Sequence, residues 1–258
     1  MDRIDKIARK LLDNWNSRAP YEALFGAYAI GSVGEAYQVQ LALQQLHAEN
    51  RGQIAGRKIA LSSKAMQQMV DIDQPIAGAF FANDVAMSPA TITAGDFIHL
   101  GLEFELAIEL NSDVPPQTLG HTRQTVCDYV AAVRPAFELI EDRNADYANL
   151  DPFTLIADNA WCGGVVLGQA LVNWMDLDLG NTLSIVCQTG EPVENTNTGA
   201  ADPLGSLAWV LNHFSGRGIT LSKGEHIITG SAVRTRFPVP GDRLSYEVAG
   251  ASVQVDVT

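Results

Sequence analysis

The chain has 258 residues, of which 47% are hydrophobic and 18% are charged, so it can bury the core of one large or two small globular domains. The 17 basic and 30 acidic residues give a net charge of −13, which argues against sequence-independent binding to nucleic acid and against binding to anionic membranes. An anionic substrate would therefore need a local cation to hold it.

The cysteines and the N-terminus bear on the cellular compartment. Cys127, Cys162 and Cys187 fit no zinc motif, and their odd number fits no closed set of disulfides. The first residues lack the apolar core of a signal peptide, and no apolar run approaches the roughly 20 residues that span a bilayer. We expect a cytoplasmic protein with free thiols.

Two helices are predicted before the first strand. Residues 2–17 place Ile4, Ile7 and Leu11 at helical spacing, and residues 33–49 continue this pattern. We expect residues 1–50 to form an N-terminal helical segment packed on a catalytic domain of residues 51–258.

Strands and loops are predicted from about residue 50 onward. Residues 58–61 form a short strand, and Ser62 and Ser63 cap a helical turn at 64–69. Residues 71–89 show no strong periodicity and are expected to be a loop with short pieces of regular structure.

Longer elements follow in the middle of the chain. Residues 102–110 alternate between apolar and other side chains, which predicts a strand. Residues 122–134 are predicted to be a helix that Pro135 ends, and residues 136–141 to be a strand. A helix over about 203–214 and four short strands at 225–229, 234–239, 244–248 and 253–257 complete the prediction.

The strand over 102–110 carries the first candidate site. Glu103 and Glu105 lie on one face, about 6.5–7 Å apart at the backbone, so their carboxylates can converge on a divalent cation. A solvated acidic face is the ordinary explanation of such a pair. Glu138, on the otherwise apolar strand at 136–141, adds a third acid. Three carboxylates suit Mg²⁺, which prefers oxygen ligands and leaves room for substrate oxygens.

Several segments resemble one known family. Residues 56–67 (GRKIALSSKAMQ) are similar to the Gly-x-Lys-(Ile/Val)-Gly-Leu-Thr-Ser-Lys-Ala-Met-Gln signature of the 2-hydroxypenta-2,4-dienoate hydratases of the fumarylacetoacetate hydrolase superfamily. The family's other segments follow in order over essentially the whole chain: 73–75 (DQP), 81–84 (FAND), the Glu103-x-Glu105 strand, 135–140 (PAFELI), 157–160 (ADNA), 227–231 (IITGS) and 240–242 (PGD).

This resemblance implies an α+β fold, with a mixed β-roll or sandwich core, flanking helices and an N-terminal helical cap. It implies that Glu103, Glu105 and Glu138 hold Mg²⁺ or Mn²⁺, which binds the carboxylate and 2-oxo oxygen of the substrate and stabilises an enolate. The implied reaction is hydration of a 2-hydroxy-2,4-dienoate, as formed in meta-cleavage of aromatic rings, to a 4-hydroxy-2-oxo acid. Family members form oligomers, so we expect a homo-oligomer, with an enzyme of the same pathway as a further candidate partner.

The resemblance also assigns individual residues. Lys58 matches a lysine that moves protons or orients substrate, and partial burial near a metal would disfavour its charged form. Asp84 matches an acid that orients Lys58 or water. Thr229 and Gly230 match a turn beside the substrate, and Leu61 and Ser63 lie in the signature segment and are further candidates for substrate contact.

Three departures from the family pattern bear on the native substrate. Ala60 replaces a glycine, Trp161 replaces a small residue, and Asp202 lies where relatives have a histidine before the late helix. Alternatives therefore stay open: a decarboxylase of the 4-oxalocrotonate type, a C–C hydrolase based on a His–Glu pair, for which His47 and Glu49 offer no clear match, or a non-catalytic oligomer that binds a 2-oxo acid and metal.

Overall fold

The computed structural model describes residues 2–258. These residues form five α-helices and twelve strands, joined by short 3-10 turns. The helices are α1 (Arg3–Asn16), α2 (Val33–Arg51), α3 (Lys64–Met69), α4 (Pro152–Ala157) and α5 (Pro203–Ser215). The strands are β1 (Ile54–Ala60), β2 (Ile76–Phe81), β3 (Val85–Met87), β4 (Ala90–Ile92), β5 (Leu100–Leu110), β6 (Val130–Glu141), β7 (Cys162–Leu167), β8 (Leu183–Gln188), β9 (Glu194–Asn197), β10 (His226–Ile228), β11 (Arg243–Val248) and β12 (Ala251–Val257). No helix in the described part of the chain is long and apolar enough to cross a membrane.

The two N-terminal helices form as predicted. Side chains of Asp2 and Ser32 accept hydrogen bonds from backbone N–H groups of the first turns of α1 and α2, and Gly52, at a φ of +81°, follows the end of α2. Leu11 and Leu43 are buried in the same hydrophobic cluster as the strands. The division at residue 50 stays a prediction.

Two sheets form the core. The larger has the order β2-β1-β10-β5-β6-β7-β3, and the smaller has the order β4-β12-β11-β8-β9. Phe104 on β5 packs edge-on against Phe137 on β6 and Tyr246 on β11, with ring centroids 5.0 and 5.9 Å apart. One face of β5 and β6 thus packs on the smaller sheet, and the opposite face is left for Glu103, Glu105 and Glu138. The α+β prediction is confirmed.

Three local predictions are wrong. Residues 122–134 form a 3-10 turn and the first part of β6, because pairing along β5 outweighs the local helical spacing. Residues 71–89 contain β2, which is buried along its whole length and therefore shows no alternation. Residues 234–239 form no strand; one isolated bridge, Leu102 to Arg236, ties them to β5.

Candidate metal centre and active site

The three predicted acids come together. Glu103 lies directly opposite Glu138 in the antiparallel register of β5 and β6, and Glu105 is two residues further along the same face. One carboxylate oxygen from each of the three lies within 4.8 Å of the others. Glu138 is fully buried and Glu105 is 1% exposed, so these two carboxylates do not belong to a solvated acidic face.

Each of the three carboxylates is held through one oxygen. The backbone N–H of Gly230 donates to Glu105 Oε2 at 2.7 Å, and Lys58 Nζ donates to Glu138 Oε1 at 2.5 Å. The Thr235 hydroxyl donates to Glu103 Oε1 at 2.6 Å. In contrast, Glu105 Oε1 and Glu138 Oε2 are buried without a hydrogen-bond partner in residues 2–258. A divalent cation would supply what these two oxygens lack, so the oxygen-only site fits Mg²⁺ or a similar hard ion.

Crowding of the acids has an electrostatic cost. Burial, reinforced by the charges of Glu138 and Glu103, raises the pKa of Glu105 well above its usual range. Burial also raises the pKa of Glu138 to about 7, against the opposing effect of Lys58. The site thus favours the arrival of positive charge.

Lys58 extends from β1 into this cluster, and its side chain is 2% exposed. The prediction that a neighbouring metal and burial disfavour its charged form stays a prediction. Burial lowers the pKa of Lys58, but Glu138, and to a smaller extent Cys162 and Glu103, outweigh burial and hold the pKa above its usual value. Lys58 Nζ donates to Glu138 and, at 2.7 Å, to the carbonyl of Ala160.

A left-handed turn presents that carbonyl. Asn159, Ala160 and Trp161 have φ values of 58°, 50° and 60°. Residues other than glycine rarely adopt this left-handed backbone conformation. The Asn159 amide holds the turn, because it donates to Ala79 O and accepts from Ala79 N and Gln44 Nε2 at 2.7–2.9 Å. A Cβ on Gly78 would lie 2.7 Å from the Asn159 carbonyl oxygen, so glycine permits this close approach.

Asp84 is not brought to Lys58. Its carboxylate pairs with Arg51, with Oδ2 at 2.7 Å from Nε, and it lines a separate cavity of about 280 Å³ beside Trp15 and Gly163. The expected contact between Asp84 and Lys58 is absent from the described contacts of either residue, because the Arg51 side chain holds the carboxylate. A catalytic role for Asp84 stays a prediction.

The other four candidates lie around the cluster in different ways. The Gly230 N–H donates directly to Glu105. The Thr229 hydroxyl instead donates to the carbonyl oxygen of Leu106, at 3.0 Å. Leu61 has a φ of 53° before α3, and the Ser63 hydroxyl accepts from Met66 N as the cap of that helix. Ser62 lies beside Gly230, so the start of α3 is close to the site.

The departures occupy different places. Ala60 ends β1, two residues beyond Lys58. Trp161 is buried and packs edge-on against Tyr21 and Tyr147, with centroids 5.1 and 5.7 Å apart, so it forms part of the wall beside Lys58. Asp202 is a surface residue that pairs with Arg123 before α5, away from the acids.

Two contributors were not predicted from the sequence. Thr235 holds Glu103 from 132 residues away, within a segment that was predicted only as a strand. The Ala160 carbonyl is a backbone group, so no residue type marks it. The ADNA segment matches the family pattern, but only the fold shows that the turn at Asn159 meets Lys58.

Comparison with known proteins assigns the family. No protein-family model matches the chain. A 2-keto-4-pentenoate hydratase of Paraburkholderia xenovorans (strain LB400) is 30% identical over 253 residues, covering 95% of this chain and 91% of the relative. A 4-oxalocrotonate decarboxylase of Pseudomonas putida is 28% identical over 226 residues, covering 85% and 83%.

Solved structures show the same fold. The 4-oxalocrotonate decarboxylase from Pseudomonas putida G7, complexed with magnesium and adipate, aligns with a TM-score of 0.89 at 22% identity, over 100% of this chain and 99% of its own. A fumarylacetoacetate hydrolase family protein from yeast aligns with a TM-score of 0.58 at 18% identity, over 78% and 91%. The fold is therefore that of the fumarylacetoacetate hydrolase superfamily.

Proposed function

The chain belongs to the family of 2-keto-4-pentenoate hydratases, and we propose that it is a metal-dependent hydratase that converts a 2-hydroxy-2,4-dienoate into a 4-hydroxy-2-oxo acid. The observation that supports this most directly is the geometry of Glu103, Glu105 and Glu138. Their carboxylates converge within 4.8 Å, and two of their buried oxygens have no partner in the described structure.

We propose that these three residues hold Mg²⁺, or Mn²⁺ in its place. Such a cation would bind the carboxylate and 2-oxo oxygen of the substrate and stabilise the negative charge that develops on that oxygen during tautomerisation and hydration. It would also supply the positive charge that a protein of net charge −13 needs for an anionic substrate.

The surrounding groups keep the ligands in place. Gly230 N–H and the Thr235 hydroxyl each fix one carboxylate, as second-layer hydrogen bonds do around metal ligands. The Lys58 ammonium carries a proton next to Glu138 and is aimed by the Ala160 carbonyl, so it can donate to a substrate atom. We propose that Leu61, Ser63, Thr229 and Gly230 border the bound acid.

The test is turnover of freshly prepared 2-hydroxypenta-2,4-dienoate with Mg²⁺, followed by loss of dienol absorbance and identification of the product by NMR. Formation of 4-hydroxy-2-oxopentanoate that stops on metal removal supports the proposal. Dienol loss no faster than in a protein-free control with the same metal overturns it.

Decarboxylation is the second candidate, because the chain is 28% identical to a 4-oxalocrotonate decarboxylase. The same three acids would stabilise the same enolate, and only the bond that breaks differs. Release of CO₂ from 2-oxo-3-hexenedioate, without hydration of the monoacid dienoate, assigns this activity instead.

We also propose a cytoplasmic homo-oligomer, with association to another enzyme of the same pathway as an extension. Large apolar side chains at the surface support self-association, since Phe25, Leu119, Val172 and Met175 are each more than 75% exposed. Light scattering of the purified chain measures the subunit number, and a monomer at micromolar concentration contradicts the proposal.

A further inference from the structure

A second cluster of polar side chains lies next to the metal centre and has no part in the site described above. The ring of His99 places Nδ1 at 2.8 Å from Asp142 Oδ1, and the Tyr147 hydroxyl donates to Asp142 Oδ2 at 2.9 Å. Asp142 is fully buried, whereas the His99 side chain is 39% exposed. A buried carboxylate therefore orients an imidazole whose other edge reaches solvent.

The cluster lies at the end of the β5–β6 pair nearest Glu103 and Glu138. Leu100 pairs with Glu141 and Glu103 pairs with Glu138, so His99 immediately precedes β5, four residues before Glu103, and Asp142 immediately follows β6, four residues after Glu138. Four residues of extended chain span about 13 Å.

Thr235 and Phe237 form the floor between Glu103 and His99. Gly101 is buried beneath them, since a Cβ there would lie 3.0 Å from the Thr235 methyl and 3.3 Å from the Phe237 ring. The Phe237 ring stacks on the His99 ring, with centroids 4.5 Å apart and planes within 10°. A diene chain bound on this floor would have Glu103 and its Thr235 hydroxyl at one end. The Phe237 ring would lie along the chain, and the His99 imidazole would lie at the other end.

Tyr147 links the cluster to the opposite wall. Its ring packs edge-on against Trp161, next to the Ala160 carbonyl that holds Lys58. Burial and the charge of Asp142, with a smaller effect of Glu103, raise the pKa of the Tyr147 phenol, which indicates that Tyr147 lies within electrostatic reach of the metal-centre acids. The phenol stays protonated and keeps Asp142 in place.

Orientation by Asp142 fixes the chemistry of the ring. A neutral imidazole that donates its Nδ1 hydrogen to a carboxylate has Nε2 free as a base. Lys58 does not offer this function, because its ammonium group is already bound to Glu138 and Ala160 at the other end of the floor. The hydration needs a base away from the metal ligands, since water adds to C4, near the far end of the five-carbon acid.

We propose that His99, positioned by Asp142 and Tyr147, is the catalytic base that activates water for addition to C4. The inference rests on the proposed hydratase function. On the 2-oxo-3-enoate tautomer of the substrate, Nε2 takes one proton from water as the oxygen forms a bond to C4, and the electron pair of the C3–C4 double bond moves through C2 onto the 2-oxo oxygen. The Lys58 ammonium at the metal end protonates C3 and restores the 2-oxo group. The imidazolium loses its proton to solvent and Lys58 regains one, so atoms and charge balance.

The geometry allows one molecule to span both ends. A five-carbon acid is about 5–6 Å long from C1 to C5, with C–C bonds of about 1.5 Å. The glutamate and histidine side chains each extend several ångströms from the backbone toward the substrate. A 13 Å backbone separation thus leaves space for the acid and one water molecule.

The experiment compares wild type with His99→Ala, Asp142→Asn and the control His226→Ala. His226 also lies beside a carboxylate of β5, with Nε2 3.7 Å from Glu109, but at the opposite end of the strand. We measure hydration of 2-hydroxypenta-2,4-dienoate, Mg²⁺ affinity by calorimetry, and metal-dependent deuterium exchange at C3 of 2-oxopentanoate by NMR. Exchange needs enolisation at the metal end only and so reports on that end separately.

We expect His99→Ala to lose hydration roughly 100-fold or more, with Mg²⁺ affinity and C3 exchange within threefold of wild type and with partial rescue by added imidazole. Asp142→Asn should lose at least tenfold without rescue, and His226→Ala should match wild type. Hydration by His99→Ala within threefold of wild type overturns the role of His99 and leaves the hydratase function standing. A wild-type enzyme that hydrates no dienoate overturns both, and parallel loss of metal affinity in His99→Ala shows a structural role and overturns the inference.

Discussion

Lys58 Nζ and Glu138 Oε1 form an ion pair at 2.5 Å in which both side chains are almost completely buried. Two charges taken out of water are tolerated only when each has a partner. Glu138 has three neighbours of importance: the like charges of Glu103 and Glu105, and the single ammonium of Lys58. The stability of the metal-free protein should therefore depend on Lys58. Added metal should reduce this dependence, because a cation would neutralise the same carboxylate.

Replacing Lys58 by Met leaves Glu138 buried beside two other acids, and we expect metal-free Lys58→Met to lose about 3–5 kcal/mol of unfolding free energy. Saturating Mg²⁺ should recover part of the loss, because the cation neutralises the same carboxylate. Urea denaturation with and without Mg²⁺ measures both effects. The double variant Lys58→Met/Glu138→Leu should be more stable than Lys58→Met alone; a loss below 1 kcal/mol in Lys58→Met would show that the pair is not buried as described.

Glu105→Gln should abolish metal-dependent turnover and weaken Mg²⁺ binding, because the variant loses a carboxylate ligand. Its metal-free form should unfold at a temperature equal to or above that of wild type, since the substitution removes a charge whose pKa burial and like charges raise. Calorimetric titration and thermal unfolding with and without Mg²⁺ check the two halves of this prediction.

The matched control is Glu109→Gln. Glu109 lies on the same strand and face, four residues beyond Glu105, and pairs with Arg134. It should retain metal affinity and activity within a few-fold. Equal loss in both variants would mean that the strand tolerates no change and that the metal centre is placed wrongly.

The sequence predicted the elements whose pattern is local and missed those that depend on partners. The alternation in β5 and the helical spacing in α1 are visible because one side of each element faces a different environment. β2 is buried on both sides, so its sequence lacks that signal. The first half of β6 contains a helical spacing of valines, and only its pairing with β5 shows that those residues are extended.

For the site, residue type identified the acids and Lys58, but not what holds them. Three carboxylates in the family's order predict a cation site, because the ligands of such a cation are acidic side chains that the sequence shows directly. Thr235 and the Ala160 carbonyl act over 102 residues or more of chain separation, and common residue types carry no mark of such contacts. The His99–Asp142 pair could not be predicted from the sequence for the same reason, since its members lie 43 residues apart in the chain.

Buried histidines should make the protein sensitive to acid. Burial, with the charge of Arg51 and Arg143, lowers the pKa of His47 to about 3, so the folded state keeps this ring neutral while the unfolded chain takes up a proton below its ordinary pKa of about 6.5. The contribution of His47 to the free energy of unfolding is therefore complete above pH 6.5 and decreases as the pH falls toward 3. Between pH 7 and pH 4.5 the decrease is about 2.5 kcal/mol.

The measurement is the difference in unfolding free energy between His47→Gln and wild type across this range. This difference between the two proteins is needed because Asp158 has the opposite pH dependence. Burial raises its pKa to about 6, so Asp158 stabilises the folded state more as the pH falls. The variant should show a shallower loss on acidification than wild type. Parallel pH profiles for the two proteins would mean that His47 is protonated in the fold.

Asn159 should be the most sensitive neutral polar residue near the site. Asn159→Ala removes three buried hydrogen bonds, to Ala79 N, Ala79 O and Gln44 Nε2, and places alanine at a φ of 58°. We expect a loss of about 3–4 kcal/mol in unfolding free energy. The control is Asn173→Ala, because Asn173 has a similar φ of 51° but is exposed and has no side-chain cap, so about 1 kcal/mol or less is expected. Similar losses in the two variants would assign the effect to backbone conformation, and not to the hydrogen bonds that hold the turn against Lys58.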